Sequence, residues 1–202
     1  MKNNKFKETI MRYGAILAFT SAYLTADAQT QFLSQNKEYI QIYTAVLKHG
    51  IPSQSERILI LEDSLVDTFS NNDENLAENL SKESGVSPRC FEEWSLRNRE
   101  SKSIKFKISS ELDVSFLSTY ELDTLFNENT AKENWARFNN LYKDYDGFIA
   151  ISRIGYNDTK DQAVLLLEHH CGASCGTGKF ISLIKTQNKW SVESTLTIWL
   201  AY

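Results

Sequence analysis

The hydrophobic pattern begins with a helix. Tyr39, Ile42, Tyr43, Val46 and Leu47 recur at i, i+3, i+4, i+7 and i+8, a single apolar stripe that Gly50 and Pro52 bring to a stop. The run Ile58-Leu59-Ile60-Leu61 predicts a short buried strand, continuing toward Val66. Residues 70–85 are polar and acidic, which predicts a solvated loop or a weak helix. Ser87-Pro88 then supplies an N-cap and a proline at the first helical position, with Phe91, Trp94 and Leu96 as expected anchors and Arg97-Asn98-Arg99 at the C-terminal end. Ile104, Phe106 and Ile108, followed by Leu112, Val114 and Phe116, alternate with period two. They predict one or two strands with a turn near Ser109-Ser110.

Two capping boxes come next. Ser118-x-x-Glu121 precedes Leu122, Leu125 and Phe126, and Thr130-x-x-Glu133 precedes Trp135, Phe138, Leu141 and Tyr142. From Gly147 onward the pattern is β, with strands predicted over 147–156, 162–170, 178–186 and 190–200. Turn residues fill 157–161 and Gln187-Asn188-Lys189. In the last strand Trp190, Val192, Leu196, Ile198 and Leu200 are expected to share one face. Short connections make this an antiparallel meander, and Trp135, Phe138 and Leu141 are expected to bury against Val192, Leu196 and Ile198. The fold class is α+β, with helices packed on one face of a C-terminal antiparallel β-meander. No internal repeat and no Pro- or Gly-rich linker divides residues 29–202, so a single domain is expected.

Residues 1–28 have a different character. Lys2, Lys5, Lys7 and Arg12 precede an apolar stretch from Tyr13 to Ala26, which closes on Ala26-Asp27-Ala28 ahead of Gln29. A positive n-region, an apolar core and a small-x-small end make a signal peptide, with cleavage expected between Ala28 and Gln29. The apolar run is broken by Thr20 and Ser21 and falls short of the roughly 20 residues of a membrane anchor. No cysteine adjoins the cleavage point to carry a lipid. The expected location is outside the cytoplasm, periplasmic or extracellular, for a mature chain without a membrane span.

Charge narrows the function. Of 22 Lys+Arg and 26 Asp+Glu, the leader holds four and two, leaving 18 and 24 in the mature chain. An acidic chain without a basic cluster is no general nucleic-acid binder. The sequence carries no P-loop, dinucleotide-binding fingerprint, zincin motif or nucleophile elbow. Ordinary aromatic and apolar content over some 170 residues suffices to bury about 70% of the unfolded surface without staples.

One segment asks for a chemical explanation: His169-His170-Cys171-Gly172-Ala173-Ser174-Cys175-Gly176-Thr177-Gly178. Three readings compete. A Cys171–Cys175 disulfide suits an exported chain in which a tight reversal joins two strands, although Cys90 is a third candidate. A zinc or copper site would draw on His169, Cys171 and Cys175. Strand alternation puts His170 on the other face, and the only further histidine is His49, so a fourth ligand is wanting. Thiol catalysis would use a cysteine with His169 or His170 as base, but the spacing is Cys-x-x-x-Cys and no helix opens at it. The glycines suit a turn and not a phosphate cradle. The carboxylates Glu62, Asp63 and Asp67, and Asp144 with Asp146, are expected as solvated clusters at element ends. Trp135, Trp190 and Trp199 are expected in the core or an interface. Arg153, inside an apolar strand, is expected to face solvent or to pair with an acid such as Glu168 on the neighbouring strand. Asn157-Asp158-Thr159 has the form of a glycosylation acceptor, set aside for a leader of bacterial type.

Ser152-Arg153-Ile154-Gly155-Tyr156-Asn157, Cys171-Gly172 with Cys175-Gly176-Thr177-Gly178, and Lys189-Trp190-Ser191-Val192 ahead of Trp199 carry a resemblance. Over residues 147–200 the chain resembles a group of uncharacterised exported bacterial proteins with the same serine–arginine strand, double-cysteine glycine loop and closing tryptophan strand. The resemblance implies a bacterial, exported, single α+β domain, and it implies no activity. The His169-His170 pair stands outside that pattern. The expected function is a non-enzymatic binding or interaction module without a cofactor, its partner a protein or small molecule. The alternative is a thiol- or metal-dependent protein built on the Cys171/Cys175 loop and a nearby histidine.

Overall fold

A computed structural model describes residues 37–51, 57–69, 75–104, 112–127 and 130–201. The leader with its Ala28–Gln29 cleavage point, Pro52, the strand positions Phe106 and Ile108, and the turn at Ser109-Ser110 lie outside the described residues. The described residues from Ile40 onward belong to one compact unit, which carries the fold.

The sheet is mixed. Strands β1 (Arg57–Leu61), β2 (Asp113–Leu117), β3 (Phe148–Ile151), β5 (Gln162–Gly172), β6 (Cys175–Thr186) and β7 (Lys189–Ala201) run in the order β2-β1-β3-β5-β6-β7, and the two-residue β4 (Gly155–Tyr156) also pairs with β5. β1 pairs in parallel with both β2 and β3, whereas β3, β5, β6 and β7 are antiparallel in succession. The antiparallel C-terminal half and the α+β class match the sequence reading. The parallel extension through β1 and β2 goes beyond it. β1 ends at Leu61, short of Val66.

Helices cover both faces. Leu166 of β5 opposes Phe180 of β6 on one face, where α2 (Leu76–Ser84) and α3 (Pro88–Arg97) bury Leu80, Cys90, Phe91 and Trp94 against them. On the same face α4 (Thr119–Leu125) and α5 (Ala131–Leu141) bury Leu125 and Phe138 against Leu59, Leu117 and Phe148. The first helix, α1 (residues 37–50), lies on the opposite face, where Gly50 sits against Leu167 and Ile181. Its buried Ile42, Tyr43, Val46 and Leu47 are the predicted stripe. The acidic stretch before Ser87 contains a regular helix, α2, closed by Gly85 at φ 75°, the left-handed cap that glycine adopts without a Cβ penalty.

Local caps explain the helix starts. Ser87 accepts from Arg89 N with Pro88 at the first position. Both predicted capping boxes are complete: Ser118 exchanges bonds with Glu121, and Thr130 with Glu133. Their carboxyl pKa values are held below the ordinary 4.5, first by the Ser118 and Thr130 hydroxyls and then by the N-cap amides.

Four packing expectations are corrected. Leu96 is half exposed, because Asn98 takes the inward position and bonds the Trp94 and Arg153 carbonyls. Leu141 is 65% exposed, and Tyr142 stacks on Phe138 in its place. Phe138 meets β1, β2 and β3 instead of the meander. Register shifts in the β6–β7 ladder divide the last strand: Trp190 and Val192 oppose Lys185 and Leu183, whereas Leu196 opposes Phe180 on the α2–α3 face. An extra residue at a bulge inverts every later side chain. Among the described residues no helix is long and apolar enough to cross a membrane.

Candidate functional site

The tip of the β5–β6 hairpin gathers the residues that the sequence singled out. Gly172 and Cys175 form its last pair around Ala173-Ser174, and the register breaks between His170 and Gly172, which leaves Cys171 at the irregularity. Cys171 and Cys175 lie at disulfide distance, with Cα atoms 5.1 Å apart. Cys175 is exposed.

Alternation along β5 separates the two histidines. His169 faces the α1 side, is buried, and donates from Nε2 to the Asp146 carbonyl at 2.6 Å. His170 faces the opposite side, where its Nε2 donates to Glu168 Oε2 at 3.2 Å. Trp199, which opposes Gly178 in the ladder, donates its indole N–H to Glu168 Oε1 at 3.0 Å. The His170 ring stands between two aromatics, stacked on Phe148 at 4.9 Å and 16° and meeting Trp199 at 5.5 Å. Trp135 stacks on the same Phe148 at 5.9 Å. A file of rings therefore runs from α5 across β3 and β5 to β7, with the Glu168 carboxylate beside its outer end.

Two glycines make this arrangement possible. A Cβ on Gly178 would overlap the Trp199 indole, and one on Gly176 would lie 3.0 Å from its Cζ3. The indole thus lies flat on β6, held in plane by Glu168. The spacing Gly-x-Gly on a strand opposite a tryptophan is the available signal, and a reading of those glycines as turn residues misses it.

The remaining candidates are structurally engaged. His169 is tied to a main-chain carbonyl, and His49 bonds Thr195 at 3.2 Å. Among the described residues, no three His, Cys, Asp or Glu side chains gather to hold a metal ion. Cys90 is buried in α3, and burial, with Glu93 nearby, pushes its thiol up to about 12. Arg153 does not pair with Glu168. Its amide donates to Asn98 Oδ1 at 2.8 Å and its Nη2 reaches the Glu100 carbonyl at 3.5 Å. Asp144 is exposed and pairs with Arg57 at 3.3 Å, whereas Asp67, expected to be solvated, is buried with its Oδ1 accepting from Phe69 N.

Ser152, Gly155 and Asn157 serve the fold. Ser152 Oγ accepts from Trp94 Nε1 and Leu166 N, both at 2.8 Å, and its carbonyl accepts from Tyr43. A Cβ on Gly155 would overlap the Cys90 and Trp94 backbone, so only glycine admits α3 this close. Asn157 Oδ1 accepts from Asp161 N and Gln162 N, closing the β4–β5 turn.

What stands at the hairpin tip is a preorganised ring-and-carboxylate surface on a mixed-sheet α+β domain. Compared with known proteins, the chain matches no protein-family profile, no curated protein and no solved structure.

Proposed function

We propose that this chain is an exported bacterial interaction domain that binds its partner at the disulfide-closed tip of the β5–β6 hairpin. One observation carries the reading: the Cys171–Cys175 pair closes the same hairpin that seats Trp199, His170 and Glu168. A disulfide persists in oxidising compartments, which agrees with the leader pattern of residues 1–28. The polar atoms of the tip bond one another instead of aligning a nucleophile with a base, which supports recognition over catalysis.

The test is a thiol count and an intact mass on protein recovered from the cell envelope or medium. A chain beginning at Gln29, with one thiol when denatured and three after reduction, is expected. Retention of residues 1–28, or three thiols before reduction, overturns the proposal.

A further inference from the structure

The Glu168 side chain is only 16% exposed, and its oxygens accept one bond each, from the Trp199 indole and the His170 ring. Among the described residues, no Lys or Arg lies within ion-pairing distance of it. A carboxylate offers about four lone-pair sites, so each oxygen keeps one unused. Its one ion-pairing neighbour among the described residues is His170, which carries a charge only when protonated, so beside a neutral imidazole this partly buried carboxylate has an unbalanced charge. Beside it, the half-buried Trp199 indole rests one face on Gly176 and Gly178. His170 is 31% exposed at the same rim.

We infer that Glu168, Trp199 and His170 form a binding site for a guanidinium group. This deepens the interaction-domain reading and rests on it. A guanidinium is planar and presents two parallel N–H donors, which match one free lone pair on each carboxylate oxygen. Its flat face stacks on an indole, where the ring quadrupole attracts the charge. A compact ammonium would use the charge of Glu168 but not the fork or the plane. The net acidic chain favours a cation approaching this surface. The guanidinium could come from an arginine side chain of a peptide or from a free small molecule.

The experiment follows the four tryptophan indole N–H signals of the mature, oxidised protein by NMR, with the Trp199 signal assigned through Trp199→Phe. The probes are N-acetyl-arginine amide, agmatine, the peptide Gly-Arg-Gly and N-acetyl-citrulline amide, the last being nearly isosteric but uncharged. A saturable shift of the Trp199 signal is expected with the guanidinium probes, and a response at least tenfold weaker with citrulline. Glu168→Gln keeps an acceptor for the Trp199 N–H and removes the charge, so binding should fall at least tenfold while the other three signals stay in place. Tighter binding of the peptide assigns the source to a protein partner, and tighter binding of agmatine assigns it to a small molecule. No saturable shift, or an equal response to citrulline in the wild-type protein, overturns the inference. The citrulline comparison needs no variant, so misfolding of Glu168→Gln cannot blur the result. The thiol count and mature mass stand independently, so failure here leaves the broader proposal to its own test.

Discussion

Substituting Gly178 by Ala tests the seat of Trp199 directly. The new methyl would overlap the indole, so the ring must leave the β6 surface. Overpacking of this kind costs about 1–3 kcal/mol. Displacement also forfeits the indole bond to Glu168, a hydrogen bond to a charged group worth about 1.5–3 kcal/mol. A combined loss of about 3 kcal/mol is expected, lowering the thermal midpoint by roughly 6–12 °C for a domain of this size. The seat itself is isolated by a double-mutant cycle with Trp199→Ala. Once the indole is gone, the added methyl has nothing to collide with, and alanine is favoured over glycine in a strand by about 0.5–1 kcal/mol. The two substitutions should therefore couple by about 3.5–4 kcal/mol in urea denaturation of the oxidised protein, the cost with the ring present plus the gain without it. Losses that add to within about 0.5 kcal/mol would refute the reasoning, because neighbours that share a contact cannot be additive.

Other outcomes follow from the same packing. Phe138→Ala should cost about 3–5 kcal/mol by denaturant unfolding, whereas the exposed Leu141→Ala should stay within about 0.5 kcal/mol. Replacing Cys171 and Cys175 together by Ser opens a small ring, with a loss of about 2 kcal/mol and a melting shift of roughly 4–8 °C; outright unfolding would assign the pair a larger role. With its thiol pushed up to about 12, Cys90 should resist iodoacetamide in the native protein at neutral pH and react only after denaturation. Glu121 and Glu133 carry lowered carboxyl pKa values, so their contribution to α4 and α5 is present above the ordinary 4.5. It is lost as pH falls through the folded values, which circular dichroism should register as reduced helicity in acid, and Glu→Gln at both positions should remove that part of the response.

Local signals are legible in the sequence and long-range ones are not. Each capping box lies within four residues, so Ser118, Glu121, Thr130 and Glu133 can be read without knowing what surrounds them. The parallel pairing of β1 with β2 and β3 joins residues more than fifty apart, and nothing in an apolar tetrapeptide states its partner. The side of a helix end is equally hidden. Phe138 could be completed inward by Leu141 or Tyr142, and the aromatic wins because it stacks on Phe138 at 5.0 Å. In β7 the alternation identifies a strand, but the first of two register shifts turns the stretch around Leu196 to the other face and the second turns Leu200 back. A bulge is a property of the ladder, which one strand's pattern does not carry.

The same distinction bears on where function can reside. The residues behind the sequence resemblance mostly hold geometry: Ser152 ties α1, α3 and β5 together, Gly155 admits α3, Asn157 closes a turn, and Gly176 and Gly178 seat an indole. Replacing any of them disturbs the scaffold before it alters a binding preference. Glu168 and His170 lie between these positions, on a strand face that the scaffold has already oriented. Partly buried Glu168 ties the Trp199 indole to β5 and also carries a charge, which the apolar clusters around Phe148 and Phe180 do not call for. On the proposed reading, selectivity on this surface would rest on Glu168 and His170, with the surrounding motif as the flat support beneath them.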